Sequence, residues 1–304
     1  MFGHRSDGKA IKNINPFFKV IPNVMMKRSD SQVFFKQNIS LKGMDEYINK
    51  KSSEGIKVSY MEIFFAAIVR TIYERPSLNR FAINGVLYQR NKISISIAIK
   101  KNLNDDGQET TVKLEFDGTE NIFEIKEKLN SLIKNNKKME TENNTDSFAK
   151  LLNKMSYGSV RRIVKFLKFL DKHGILPKKI IDLSPFHTST FVTNVGSIGI
   201  DSIYHHLYDF GTTSMFFSIG KKKKSYIYNE DEIEQDKCIT VAFVGDERIC
   251  DGYYYASSFK TLNKYLRKPE LLENEGSIKQ KSIRFCKKYY IKSLRPKIVH
   301  KINT

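Results

Sequence analysis

The chain has 304 residues, 40% hydrophobic and 12% aromatic, with 52 Lys and Arg against 33 Asp and Glu for a net charge of +19. That length can bury a substantial core without disulfides or metals, and no run of about 18 apolar residues exists to cross a membrane as a helix. Cys238, Cys250 and Cys286 are an odd set with no C-x-x-C pair, which speaks against a disulfide framework or a zinc knuckle, and the N-terminus lacks the apolar stretch of a signal peptide, so a reduced, cytoplasmic setting is expected.

After an N-terminal arm (1–19), "VFFKQNI" (33–39) reads as a strand. "SYMEIFFAAIVRTIYERP" (59–76) is a helix: Ser59 and Glu62 fit a capping box, an apolar stripe runs from Met61 to Ile72, and Pro76 ends it. "RFAINGVLYQ" (80–89) predicts a hairpin with Asn84-Gly85 at the tip. "ISISIAI" (93–99) alternates, with isoleucines on one face and Ser94, Ser96 and Ala98 on the other, and "TTVKLEF" (110–116) is its expected partner. A helix is expected over about 119–135, then a polar break at 134–146. Helical stretches follow at 147–155 and 159–172, and 137–187 reads as an insertion. The basic, amphipathic 159–172 fits either a membrane surface or, as expected here, a place on the protein's own sheet.

Strands are expected at 188–195, 214–220 and 237–245, with Lys221 to Lys224, "SYIYN" and an acidic turn at 230–236 between the last two. A final helix spans 252–267 and buries Tyr255, Phe259, Leu262 and Leu266. Strands and helices intersperse without strict βαβ alternation, which implies one α/β domain (20–276) with a mixed sheet covered by helices on one face. The segment 277–304 contains no Asp or Glu and reads as a basic tail, a solvated appendage rather than a specific reader of nucleic acid or a contact for anionic membrane, since arginine, the base-reading residue, is scarce in it.

Common catalytic motifs are missing from the sequence: no G-x-G-x-x-G, Walker loop, H-E-x-x-H or G-x-S-x-G occurs. No metal site is expected, since the adjacent His205 and His206 point opposite ways in extended chain. Attention falls instead on 241–252, where a strand hands over to a helix. Asp251 is placed to cap that helix, Gly252 to let the backbone turn sharply, and Glu247 stands at the mouth of the turn.

Asp246-Glu-Arg248-Ile-Cys-Asp251-Gly252, followed by "YYYASSFKTLNKYLRKPELL", resembles the D-H-R-x-x-D-G-A signature and terminal helix of the acyltransferase catalytic domain of 2-oxoacid dehydrogenase complexes, related in fold to chloramphenicol acetyltransferase. "STFVTNVGSIGIDSIYHHLYDFGTTSMFFSIG" (189–220) resembles the family's T-F-T-x-S-N-x-G-x-x-G stretch, and "GIKVSYMEIFFAAIVRTIYERPSLN" (55–79) its helix ending in P-x-x-N. The resemblance implies a two-layer α/β sandwich and a homotrimer with active sites between subunits. It implies coenzyme A chemistry in which a base deprotonates the acceptor and a Ser or Thr hydroxyl stabilises the oxyanion. Carried over by position, the catalytic residues are Glu247, Thr193 and Asp251, and the substrate or coenzyme A residues are Asn194, Gly196, Ser197 and Gly252. Lys221 to Lys224 could neutralise coenzyme A phosphates or form a solvated charge run.

Two departures matter. Glu247 replaces the family's histidine, and Thr193 replaces its serine while keeping the hydroxyl. Glutamate starts near a pKa of about 4.3 against about 6.5 for histidine, so it serves as a base only in a sheltered site; His205 or His206 is the other source of a base. The family's lipoyl and subunit-binding segments have no counterpart in the matching region, so an acyl carrier is expected elsewhere, or a small-molecule acceptor. The alternative is an inactive trimeric scaffold or regulatory module of the same fold.

Overall fold

The computed structural model describes residues 4–100, 109–137, 155–229 and 232–276. Nine strands are present among them: β1 (Gly8–Ala10), β2 (Gln32–Ser40), β3 (Arg80–Ile83), β4 (Val86–Arg90), β5 (Ile93–Lys100), β6 (Glu109–Phe116), β7 (Thr190–Asn194), β8 (Met215–Asn229) and β9 (Glu232–Asp246). Helices are α1 (Pro16–Val24), α2 (Lys42–Ser53), α3 (Tyr60–Glu74), α4 (Ile122–Lys137), α5 (Tyr157–His173), α6 (Lys178–Leu183) and α7 (Gly252–Arg267).

Six strands form one mixed sheet in the order β2-β9-β8-β7-β5-β6. Only β7 runs parallel to its neighbours, and all other pairings are antiparallel. The isoleucine face of β5 does what its alternation predicts: Ile93, Ile95 and Ile97 join the main core with Phe64, Phe65 and Ile68 of α3 and Phe259 and Leu262 of α7. Ser59 and Glu62 form both halves of the capping box that starts α3. Asn84 (φ 49°) and Gly85 (φ 72°) make the β3–β4 turn, where both central residues need positive φ.

The opposite, outer face of the sheet is covered by chain rather than by the main helices. Phe191, Phe216 and Val244 point that way and meet Leu207 of the segment 200–210. Ser94 and Ser96, the polar face of β5, are buried under the segment leading into β7: the Ser94 hydroxyl accepts from Ser189 N (3.1 Å), and the Ser96 hydroxyl donates to the Pro185 carbonyl (3.0 Å). The N-terminal arm is built in as well, since β1 pairs with β4 beside β3 in a second, three-stranded sheet.

Two expectations are corrected. Lys221 to Lys224 and most of the supposed acidic turn are strand, because β8 and β9 stay paired from Lys222–Ile239 out to Asn229–Glu232. Alternating side chains on a two-stranded ribbon tolerate charge on either side, so the polar composition did not end the strands. Helix α5 does not pack its stripe on the sheet: Asp171 is its one buried residue, and Phe166 and Phe169 are exposed. The stretches 147–154 and 277–304 lie outside the described residues.

Candidate active site

The turn after β9 is fixed by an ion cluster that the sequence did not announce. Asp246 is fully buried and takes two bonds from the Arg248 guanidinium, Nε to Oδ1 (2.8 Å) and Nη2 to Oδ2 (2.7 Å). It also accepts from the Ser31 hydroxyl (2.9 Å) and the Arg248 backbone N (3.0 Å), with Arg28 Nε 3.4 Å away. Burial alone would raise the Asp246 carboxyl, but the hydrogen bonds and charge of Arg248, with the charge of Arg28, outweigh it and hold the carboxyl below its ordinary value. Arg28 is itself pinned to the carbonyls of Tyr208 and Gly211. The D-x-R pattern thus has a structural reason: the outer two residues clamp inward and the middle one is turned out.

That middle residue is Glu247. Its backbone N donates to Ser31 O (2.8 Å), and its side chain is exposed, with no hydrogen bond or ion pair among the described residues. Asp251 caps α7 as expected, accepting from Tyr254 N (2.7 Å). Gly252 corrects the expectation of a sharp turn: it is the first residue of α7 without a positive φ, and a Cβ there would meet nothing within 4 Å. Within this chain, no steric demand requires glycine at that position. Cys250 is buried, and burial pushes its thiol up to about 12, so it is no nucleophile.

The second cluster lies at the far end of the sheet. Asn194, Gly196 and Ser197 line an open cleft of about 300 Å³ with Tyr60 of α3 and Lys221 and Lys222 of β8. Lys222 Nζ sits 3.7 Å from the centroid of the Tyr60 ring. Gly196 is demanded by packing, since a Cβ there would lie 2.4 Å from the Gly220 carbonyl oxygen. Thr193 does not face this cleft. Phe191 belongs to the outer cluster and Val192 to the main core, so alternation turns Thr193 outward. His205 is also on the outer face, stacked on Phe216 at 4.2 Å, and burial lowers its pKa.

Glu247 and Thr193 do not meet within one chain. Thr193 pairs with Ser218, and Ser218 with Ala242, so Glu247 lies five residues further on, one past the end of β9. At about 3.4 Å per residue that is ~17 Å along the strand, before the two intervening strand spacings are added.

Residues 176–273 match the family model of 2-oxoacid dehydrogenases acyltransferase (catalytic domain), a stretch that holds Asp246 to Asp251 and Asn194 to Ser197 but not Arg28, Ser31 or Tyr60. A probable dihydrolipoamide acetyltransferase from Listeria monocytogenes 4b F2365 superposes with a TM-score of 0.54 at 16% identity, covering 86% of this chain and 95% of that one. The chain has the acyltransferase fold. The dihydrolipoamide acetyltransferase of Azotobacter vinelandii gives a TM-score of 0.54 at 11% identity over 86% of this chain and 93% of its own. A chloramphenicol acetyltransferase gives 0.52 at 12% identity over 85% and 99%. No curated protein matches the chain by sequence search. The resemblance read from the signature residues and the mixed-sheet sandwich therefore both stand.

Proposed function

We propose that the chain is a coenzyme A-dependent acyltransferase acting as a homotrimer, with Glu247 of one subunit facing Thr193 of the next. The observation that carries this reading is the Asp246–Arg248 clamp, which spends a buried, four-bonded carboxylate on holding one free carboxylate outward at the head of a capped helix. In the Azotobacter vinelandii enzyme a serine, a histidine and an asparagine were investigated for the catalytic mechanism, the last two four positions apart and the first two 52 apart. Glu247 and Asp251 repeat the first spacing, and Thr193 precedes Glu247 by 54.

Assembly is what brings the pair together in this reading. Phe34, Ile198, Ile200, Ile203 and Tyr204 are exposed apolar residues on β2 and on the loop after β7, the kind of surface a neighbouring subunit covers. Covered, Glu247 would lose water and gain basicity, the condition a carboxylate needs to take a proton from a thiol, hydroxyl or amine. The Thr193 hydroxyl would donate to the oxyanion formed when that acceptor attacks the thioester carbonyl. The cleft beside Asn194, Gly196 and Ser197 would take coenzyme A, with Lys221 and Lys222 near its phosphates. The protein acts in the cytoplasm in this account, with an acyl carrier or small molecule as acceptor. The basic tail at 277–304 is a solvated appendage in this account, and contact with nucleic acid or anionic membrane through it is not favoured.

The test is release of free coenzyme A from acetyl-CoA across thiol, alcohol and amine acceptors. Turnover is expected in the wild type, with Glu247→Gln lowering kcat by about 10²-fold or more, as loss of a general base does. A wild type without turnover on any acceptor, beside an active Glu247→His, would overturn the catalytic reading. The inactive scaffold would take its place, a reading that the exposure of Glu247 in the single chain favours.

A further inference from the structure

A second cavity, of about 480 Å³, opens on the outer side of the sheet between the N-terminal arm, the end of β4, β6 and α6. Two of its lining cations are short of anions. Arg90 is buried, and its Nη2 bonds the Thr212 carbonyl and hydroxyl (2.9 Å to Oγ1), while its Nε, itself without exposed surface, has no hydrogen-bond partner among the described residues. Its nearest carboxylate is Asp7, at 4.0 Å, and that group is held by Arg5 at 2.9 and 3.0 Å. Lys113 Nζ donates to two carbonyls, Ile181 O (2.8 Å) and His187 O (3.1 Å), and to no carboxylate among the described residues.

The environment opposes both charges. Burial first, and then the neighbouring Arg90 guanidinium, bring the Lys113 amine down to about 8, with Glu115, Asp182 and Asp7 offsetting them only in part. Glu115 lies 3.8 Å from Lys92 on the exposed rim. Lys178 adds another cation to the wall. Burying cations without counter-ions is costly, and carbonyl dipoles compensate incompletely. An anion lodged in the cavity beside Lys113 would relieve its repulsion with Arg90.

We propose that this cavity binds a small oxyanion, a carboxylate or phosphate group on a soluble ligand, through Arg90 and Lys113. The site is on the outer face of β6 and does not depend on coenzyme A chemistry at Glu247. Its charge pattern also differs from that of the cleft at Lys221, because Arg90 here is buried and Lys113 half-buried. A planar guanidinium beside an ammonium suits an oxygen-bearing anion, with Arg90 fixing its orientation and Lys113 supplying the point charge.

The experiment is isothermal titration of the full chain with inorganic phosphate and, separately, succinate, in chloride buffer of matched ionic strength. Saturable binding of phosphate alone assigns a phosphate ligand, of succinate alone a carboxylate, and of both a general oxyanion site. Lys113→Met should weaken binding roughly tenfold or more, as loss of one charge-assisted bond entails. Arg90→Lys should do the same by removing the guanidinium, and it serves if Lys113→Met fails to fold. Lys260→Met, an exposed change on α7, should bind as the wild type does. No saturable binding of either anion, or equal binding by wild type and both site variants, would overturn the proposal.

Discussion

Asp246 carries more of the structure than any residue the sequence singled out beside it. Replacing it with Asn keeps the shape but leaves Arg28 and Arg248 buried without their shared anion, a change worth about 3–5 kcal/mol. Urea unfolding of Asp246→Asn should show that loss at neutral pH. The pH dependence follows from the sign of the shift. A carboxyl held lower in the folded chain than in the unfolded one contributes fully above the unfolded value of about 3.9, and that contribution disappears as pH falls through the folded value. Asp246→Asn should therefore have a flatter acid limb than the wild type. The pair was readable as part of a signature, but not as a clamp: an Asp and an Arg two apart look the same on a solvated turn. Glu247 was visible because it breaks that signature, and its exposure was not.

At the scale of elements, periodicity carried most of the fold. The capping box at Ser59, the Asn84-Gly85 turn and the isoleucine alternation of β5 each act locally, so each could be read without knowing the tertiary structure. Where composition and pairing disagreed, pairing won: Lys222 to Lys224 pair with 237–239, and 225–229 pair with the acidic run from Glu232 to Asp236, so both charged runs lie in one β-ribbon. Helix α5 shows the reverse, a strong stripe that its own sheet does not bury. Gly196 links element to site, since its missing Cβ lets the turn after β7 lie on Gly220 of β8. Gly196→Ala should push that turn off the strand, cost about 1–3 kcal/mol by overpacking, and weaken coenzyme A retention on an affinity column. Ser197→Ala, at an exposed position in the same turn, should leave stability within about 0.5 kcal/mol.

For the whole molecule, the separation of Glu247 from Thr193 is the decisive fact. One chain presents the free carboxylate of Glu247 at one end of the sheet and the Thr193 hydroxyl nearer the other. An assembly that closes head to tail can join them, and a lone chain cannot. Mixed assembly tests this most directly. Glu247→Gln and Thr193→Val chains, each inactive alone, are unfolded together, refolded at equal amounts and assayed for coenzyme A release. Random mixing in a cyclic trimer restores an intact Glu247–Thr193 pair at about a quarter of the interfaces, so about a quarter of wild-type turnover is predicted. A mixture as inactive as its two components, with trimers confirmed by sedimentation, would contradict a site shared between subunits.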